Sequence, residues 1–347
     1  MSVADVLIDR LALDRAGAMM LRALPPERAH DLALALLRRI PAPNPAATPS
    51  LGRTVAGLHF ANGVGIAAGF DKNAVTYGAL LRWGFGFVEV GTVTPRPQAG
   101  NPKPRVFRLP AEAAVINRLG FNNEGHIVVA RRLEGRDRRL GVVGVNIGCN
   151  KDAADPVADY VAGIRAFADL ADYLTINVSS PNTPGLRAMQ HGSELTRLLD
   201  AILAERSKRG PGSAPLPLFV KLAPDLAPDE LDVIVATVND RPVDGLVLTN
   251  TLLARPTDLR GRHAREAGGL SGRPVRERAT EILRLARAAL APDRAIISVG
   301  GIDGPASAGE RLAAGADLLQ LYTGLVYGGL GLGRRIVRGL ASERRLA

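Results

Sequence analysis

The chain has 347 residues, 46% of them hydrophobic and 22% charged, which is enough to bury a large core and too apolar for a disordered chain. A single cysteine, Cys149, excludes an internal disulfide and any CxxC zinc or redox motif and points to a reducing compartment; the five histidines show no HExxH spacing, so no metal site is expected. The net charge of +10 comes with only 4% aromatics, and many arginines stand beside acids, as in 131–139 and 276–287, so solvated helix faces are expected and no nucleic-acid partner.

The first forty residues read as two short amphipathic helices. One covers about Val3 to Leu24, with Val6, Leu7, Leu11, Leu13, Met19, Met20 and Leu21 supplying apolar surface. Pro25 and Pro26 break it and start the second, which carries Ala29, Ala33, Leu36, Leu37 and Ile40. Residues 41–50 are a stiff proline-rich linker. They separate a helical unit, 1–40, from a domain spanning 51–347. Asp5, Asp9 and Asp14 argue against a secretory signal, and the longest stretch free of Asp, Glu, Lys and Arg, residues 54–70, holds four glycines and is too short to span a membrane.

Arg53–Phe60 is expected to form a hairpin that plugs a barrel floor. Beyond it, eight short apolar runs alternate with helical stretches. The runs are Val64–Ala68, Phe87–Val90, Gly141–Ile147, Leu174–Val178, Leu216–Leu222, Gly245–Leu248, Ala295–Val299 and Leu318–Tyr322. Helices are expected at Glu194–Arg209, Pro228–Val238, Pro274–Ala291 and Pro305–Ala314. Eight such units over about 300 residues predict an α/β fold, a (β/α)8 TIM barrel with a small N-terminal helical extension. The GxGxxA match at 63–68 is itself a strand, so it is rejected as a dinucleotide motif.

Parallel barrels collect their chemistry at the C-terminal ends of the strands. Here Gly300-Gly301 and Tyr322-Thr-Gly324 follow the last two strands, where bare backbone N–H groups commonly hold phosphate. Asparagines 117, 146, 177, 182 and 250 lie at or beside the other ends, each offering a donor with an acceptor, which matches an imide-bearing ligand. Only five lysines stand among 44 basic residues, and two of them, Lys72 and Lys221, fall at strand ends, suited to an anionic substrate. No histidine, carboxylate pair or cysteine in these loops makes an obvious base. Ser179 and Ser180 are left.

The runs Ala67–Lys72, Gly91–Pro97, Asn117–Asn122, Asn177–Gly185 and Gly268–Gly272 resemble dihydroorotate dehydrogenases, in order, over about residues 25–330. The helical N-terminus and the absence of a cysteine base resemble the membrane-associated, quinone-dependent class 2. The resemblance implies an FMN barrel that oxidises dihydroorotate to orotate in pyrimidine (UMP) synthesis and passes electrons to a membrane quinone, on the cytoplasmic side of the cell membrane. It places FMN against Ala68, Gly69, Lys72, Thr92, Asn146, Asn177, Lys221, Thr249, Gly272, Gly301, Tyr322 and Thr323. It places dihydroorotate against Lys72, Asn117, Arg118, Leu119, Gly120, Phe121, Asn177, Asn182, Asn250 and Thr251, with Ser180 as base and Lys221 near the reduced cofactor. It turns His30, Arg108 and Tyr322 toward the quinone. Phe70 stands where many relatives have leucine, a change expected to affect packing only. Two other readings share parts of the pattern: a flavin-dependent tRNA dihydrouridine synthase-like barrel, which would need a catalytic cysteine and an RNA-binding domain, and a non-catalytic phosphate-binding barrel.

Overall fold

The computed structural model describes residues 13–39, 51–183, 185–210, 212–214 and 216–344. Eight parallel strands close a barrel: β3 (Val64–Ile66), β4 (Phe87–Val93), β7 (Val142–Ile147), β8 (Tyr173–Asn177), β9 (Leu218–Leu222), β10 (Gly245–Leu248), β12 (Ala295–Val299) and β13 (Leu318–Leu321). Every apolar run of the sequence forms one barrel strand, and β10 and β12 keep the expected bounds. The helices Gly192–Ser207, Pro228–Asn239, Arg276–Ala289 and Pro305–Ala313 coincide with the expected four to within two residues at either end. The N-terminal helices are α1 (Leu13–Arg22) and α2 (Pro26–Leu37). The expected first turns before Leu13, Ile40 and the 41–50 linker lie outside the described residues. Among the described residues no helix is long and apolar enough to cross a membrane.

Side chains two apart on a strand share a face, so each barrel strand sends alternate residues inward. The lowest inward layer is apolar. Phe87, Tyr173 and Phe219 meet edge to face, with ring centroids 6.4 and 5.5 Å apart. The expected hairpin forms from β1 (Arg53–Val55) and β2 (Leu58–Phe60), and Phe60 closes the floor against Phe87 at 5.3 Å. Glycines on neighbouring strands make room for these rings: a Cβ at Gly65 would sit 2.5 Å from Phe87, and one at Gly144 2.1 Å from Tyr173. Gly144→Ala is therefore expected to cost about 1–3 kcal/mol through overpacking, read as a lowered melting temperature. An unchanged melt would mean that Tyr173 has room to move.

The strands are anchored from below by one repeated device. Asp172, Asp244 and Asp317 each stand just before a strand and accept the backbone N–H of Val143, Leu218 and Ile296 at 2.8 Å. Each also donates its own N–H, at 2.9 Å, to the carbonyl of that same residue. Arginines 138 and 206 neutralise the first two carboxylates at 2.7 and 3.1 Å.

Sequence reading missed a second sheet. β5 (Val106–Leu109), β6 (Ala114–Asn117) and β11 (Gly269–Gly272) form an antiparallel layer over the barrel mouth, with Asn117 opposite Gly269. Its strands come from segments more than 150 residues apart, and each is only four residues long. Such short, half-buried runs carry little periodic signal.

Candidate active site

The loop after β3 is set by Asp71. Its buried carboxylate accepts the backbone N–H groups of Val75 and Thr76 at 2.8 and 2.7 Å, which fixes the turn and leaves Lys72 at the barrel mouth. Burial, then the nearby Arg105 cation, pull the Lys72 ammonium down to about 8. Gly69 adopts φ +95°, open to glycine, and its N–H donates to Gly91 O.

A single hydrogen-bonded chain runs along the mouth. Asn146 donates through Nδ2 to Glu89 at 2.8 Å, so its Oδ1 receives Thr92 Oγ1 and Asn177 Nδ2. Asn177 then presents its Oδ1 to Ser179 Oγ at 2.9 Å, and Asn250 Nδ2 donates to Ser179 Oγ at 2.9 Å. The two serines are separated by this chain. Ser179 is fully buried and used by the asparagines, whereas Ser180 lines the cavity.

The glycine loop after β12 is braced from behind. Gly300 and Gly301 adopt φ +104° and +72°, and their carbonyls accept from Arg311 at 2.6 Å and Arg276 at 3.0 Å. Arg311, on the outer helix Pro305–Ala313, has no exposed surface and also donates to Ser298 Oγ at 3.0 Å. Burial and the neighbouring Arg276 lower it to about 10. Across the loop, Thr323 Oγ1 donates to Ser271 Oγ at 2.8 Å, which ties β11 to the end of β13.

These elements enclose a cavity of about 620 Å³ that runs from the barrel mouth to the inner faces of α1 and α2. Of the residues expected at the cofactor, Ala68, Gly69, Lys72, Thr92, Asn177, Lys221, Thr249, Gly272, Gly301, Tyr322 and Thr323 line it. Asn146 does not; it lies fully buried below and orients Thr92 and Asn177. Of the residues expected at the substrate, Asn117, Leu119, Gly120, Phe121, Asn182, Asn250 and Thr251 line the roof and wall. Arg118 is not a lining residue. Its guanidinium, one residue past the end of β6, pairs with Glu266 at 2.9 Å and stacks over Phe107 at 4.5 Å.

Two buried oxygens on the lining, Asn122 Oδ1 and Thr251 Oγ1, have no partner, the mark of a polar ligand's place. Asn122 was not singled out in the sequence, although it closes the run Asn117–Asn122. Glu89 and Gln320 were missed as well. Their signal was present: each is a polar residue inside an apolar strand run.

At the helical end, His30 and Arg108 line the same cavity as Tyr322. The His30 ring meets Phe70 edge-on at 5.3 Å, and Phe70 meets Tyr322 at 5.9 Å, so Phe70 links two residues expected at the quinone. Burial, then Lys72, lower His30 to about 3, which keeps the imidazole neutral; it hydrogen-bonds to the Phe70 backbone. Arg108 has a second duty: its Nη1 donates to the carbonyls of Arg22 and Leu24 at 2.6 and 3.0 Å and caps the end of α1. Arg105 fastens α2 through Glu27 at 3.0 Å. Away from the cavity the helical pair exposes Met19, Met20 and Leu32.

A sequence profile described as dihydroorotate dehydrogenase matches residues 50–343. The chain is 52% identical over 331 residues to a dihydroorotate dehydrogenase (quinone) of Mesorhizobium japonicum, covering 95% of this chain and 91% of that one. It is 50% identical over 331 residues to a dihydroorotate dehydrogenase (quinone) of Brucella anthropi, covering 94% and 90%. Among solved structures, it superposes on ligand-free DHODH from Eimeria tenella with a TM-score of 0.89 at 41% identity, covering 92% of this chain and 95% of that one. The DHODH of the same organism in complex with ferulenol gives a TM-score of 0.88 at 39% identity, covering 92% of both chains.

Proposed function

The chain belongs to the dihydroorotate dehydrogenase family and is a quinone-dependent oxidoreductase, and on that premise we propose which of its residues carry each half of the reaction. The enzyme oxidises dihydroorotate and uses quinone as the electron acceptor. Its cofactor is a flavin, and we assign it as FMN. One observation carries the assignment of the site: the cavity joins a glycine loop at the barrel phosphate position, a wall of oriented asparagines and two unpartnered buried oxygens. That donor set fits a flavin monophosphate with an imide-bearing substrate beside it.

When bound, the flavin supplies the hydride acceptor and the electron relay between dihydroorotate and quinone. Among the lining residues, Gly300, Gly301 and Thr323 would hold its phosphate, and Thr92, Asn177 and Lys221 would hold its ring. Asn117, Asn182, Asn250 and Thr251 orient the substrate, and Lys72 takes its carboxylate. Ser180 removes the substrate's C5 proton. His30, Arg108 and Tyr322 face the quinone. Residues 1–40 act as the quinone-access unit, 41–50 as its linker and 51–347 as the FMN barrel. The exposed methionines and leucines of α1 and α2 rest on the lipid surface, which makes the enzyme peripheral to the cytoplasmic side of the cell membrane. A yellow preparation that is bleached anaerobically by dihydroorotate and re-oxidised by added quinone supports this reading. Failure of dihydroorotate to bleach it refutes the reading.

Lys72 gives a pH-dependent test. With the ammonium lowered to about 8, the lysine is charged at neutral pH and loses its proton above that value. Orotate affinity should hold below pH 8 and fall about tenfold for each further pH unit. Lys72→Ala should weaken orotate by about 2 kcal/mol, roughly 30-fold, remove that pH dependence and keep the flavin. Titration of the flavin spectrum with orotate measures both. Unchanged affinity would make Lys72 structural.

A further inference from the structure

One layer above the apolar floor, the barrel interior turns polar. Glu89, Thr175, Lys221 and Gln320 come in from β4, β8, β9 and β13, each two residues beyond Phe87, Tyr173, Phe219 and Leu318. Glu89 has no exposed surface. Its carboxylate receives four hydrogen bonds: Asn146 Nδ2 and Gln320 Nε2 at 2.8 Å, and Tyr173 Oη and Thr175 Oγ1 at 3.1 Å. Asn146 reaches Oε1, and the other three converge on Oε2.

A buried charge is costly unless it is both hydrogen-bonded and paired. The four donors meet the first need. Lys221, 5% exposed and lining the cavity, is the cation that enters the barrel in the same polar layer. Burial lowers the Lys221 ammonium, and Glu89 opposes that; among the described residues it is the one charged group that acts on Lys221. Tyr173, pushed well above the ordinary phenol range by burial and by Glu89, is the other titratable group on the pair, and Asp172 acts on it from the floor. Lys72 stands on the far loop of the mouth, where Arg105, Asp31, Glu27 and Asp71 surround it.

We propose that Glu89 is a positioning residue of the flavin site: the buried counter-charge that keeps Lys221 a cation in the cavity wall. The inference rests on the flavin reading above. It goes beyond that reading because Glu89 is not itself a lining residue and acts through Lys221, Gln320 and Asn146.

Glu89→Gln tests the charge with little change of shape. The new amide oxygen still accepts from Asn146, the hydroxyls of Tyr173 and Thr175 can turn to accept from its NH2, and the Gln320 amide can flip to present its unpartnered Oε1. The readout is the midpoint potential of the bound flavin, measured in the holoenzyme from neutral to alkaline pH. Wild type should follow one smooth line. The Glu89→Gln enzyme should depart from it by at least tenfold in the two-electron equilibrium, about 30 mV, with a step where Lys221 loses its proton. Adding Lys221→Met should remove the step. A potential–pH curve that parallels wild type overturns the proposal.

If Glu89→Gln does not hold flavin, Tyr173→Phe decides. It removes one donor and keeps the ring, so a smaller displacement of the same sign at an unchanged melting temperature supports the pairing, and none overturns it. Wild-type protein that binds no flavin would instead refute the functional reading itself.

Discussion

Replacing Ser180 by alanine is expected to leave bound flavin and orotate affinity in place while slowing flavin reduction by dihydroorotate by a factor of about 10² or more. The geometry separates the two candidate serines. The Ser179 hydroxyl donates to Asn177 and accepts from Asn250, so it already has partners in the wall. Ser180 is 4% exposed, lines the cavity, and accepts only the weak 3.2 Å bond from the Asn182 N–H. Its proton is free for transfer. A serine alkoxide is too basic to form in advance at neutral pH, so the Ser180 assignment requires concerted or relayed proton removal, for which we propose Thr183 and Phe121 as the shaping residues. Ser179→Ala should behave differently, disturbing Asn177 and Asn250 and weakening ligand binding. Stopped-flow bleaching compares the two variants, and a near-normal rate in Ser180→Ala would sink the assignment.

Removal of residues 1–49 should abolish quinone turnover and membrane association while flavin reduction by dihydroorotate persists. The charge of residues 1–40 is six arginines against five acids, a net +1, so attraction to an anionic surface is weak and apolar contact must dominate. On one side of the helical pair, Ala18, Leu21, Ala29 and Ala33 line the cavity; on the other, Met19 and Met20 are 62% and 73% exposed. That two-sidedness fits a funnel from lipid to flavin and is wasted on a lid. The alternative predicts full quinone activity in the shortened enzyme. Detergent will be needed, because losing α1 and α2 also strips Arg105 of Glu27 and Arg108 of its carbonyl partners. Vesicle flotation and a quinone-coupled assay on the same preparation separate the two losses.

Much of this protein is determined locally. Val64–Ile66 and Gly245–Leu248 are apolar without interruption because a parallel barrel buries both faces of its strands, and that composition can be read from short windows. The strand ends were legible for the same reason: Lys72, Ser180 and Gly301 come within four residues after an apolar run, and Asn177 is the last residue of β8. Within those ends, the serine choice was not local. Ser179 and Ser180 are equivalent as text, and only the positions of Asn177 and Asn250, the latter more than 70 residues away, use up one hydroxyl and free the other.

Arg118 shows the limit from the other side. The motif Asn117–Asn122 includes it, yet its guanidinium, one residue past β6 of the unforeseen sheet, is held by Glu266, 148 residues on. The polar layer of Glu89, Asn146, Thr175, Lys221 and Gln320 was visible only as interruptions in apolar strands. That these interruptions face one another was decided by closure of the barrel, which brings β4 and β13, 231 residues apart at Glu89 and Gln320, within hydrogen-bonding distance. Sequence sets which residues a strand presents on each face, since side-chain alternation is a property of the backbone alone. Which faces meet depends on register and closure, and those follow from packing the whole chain at once.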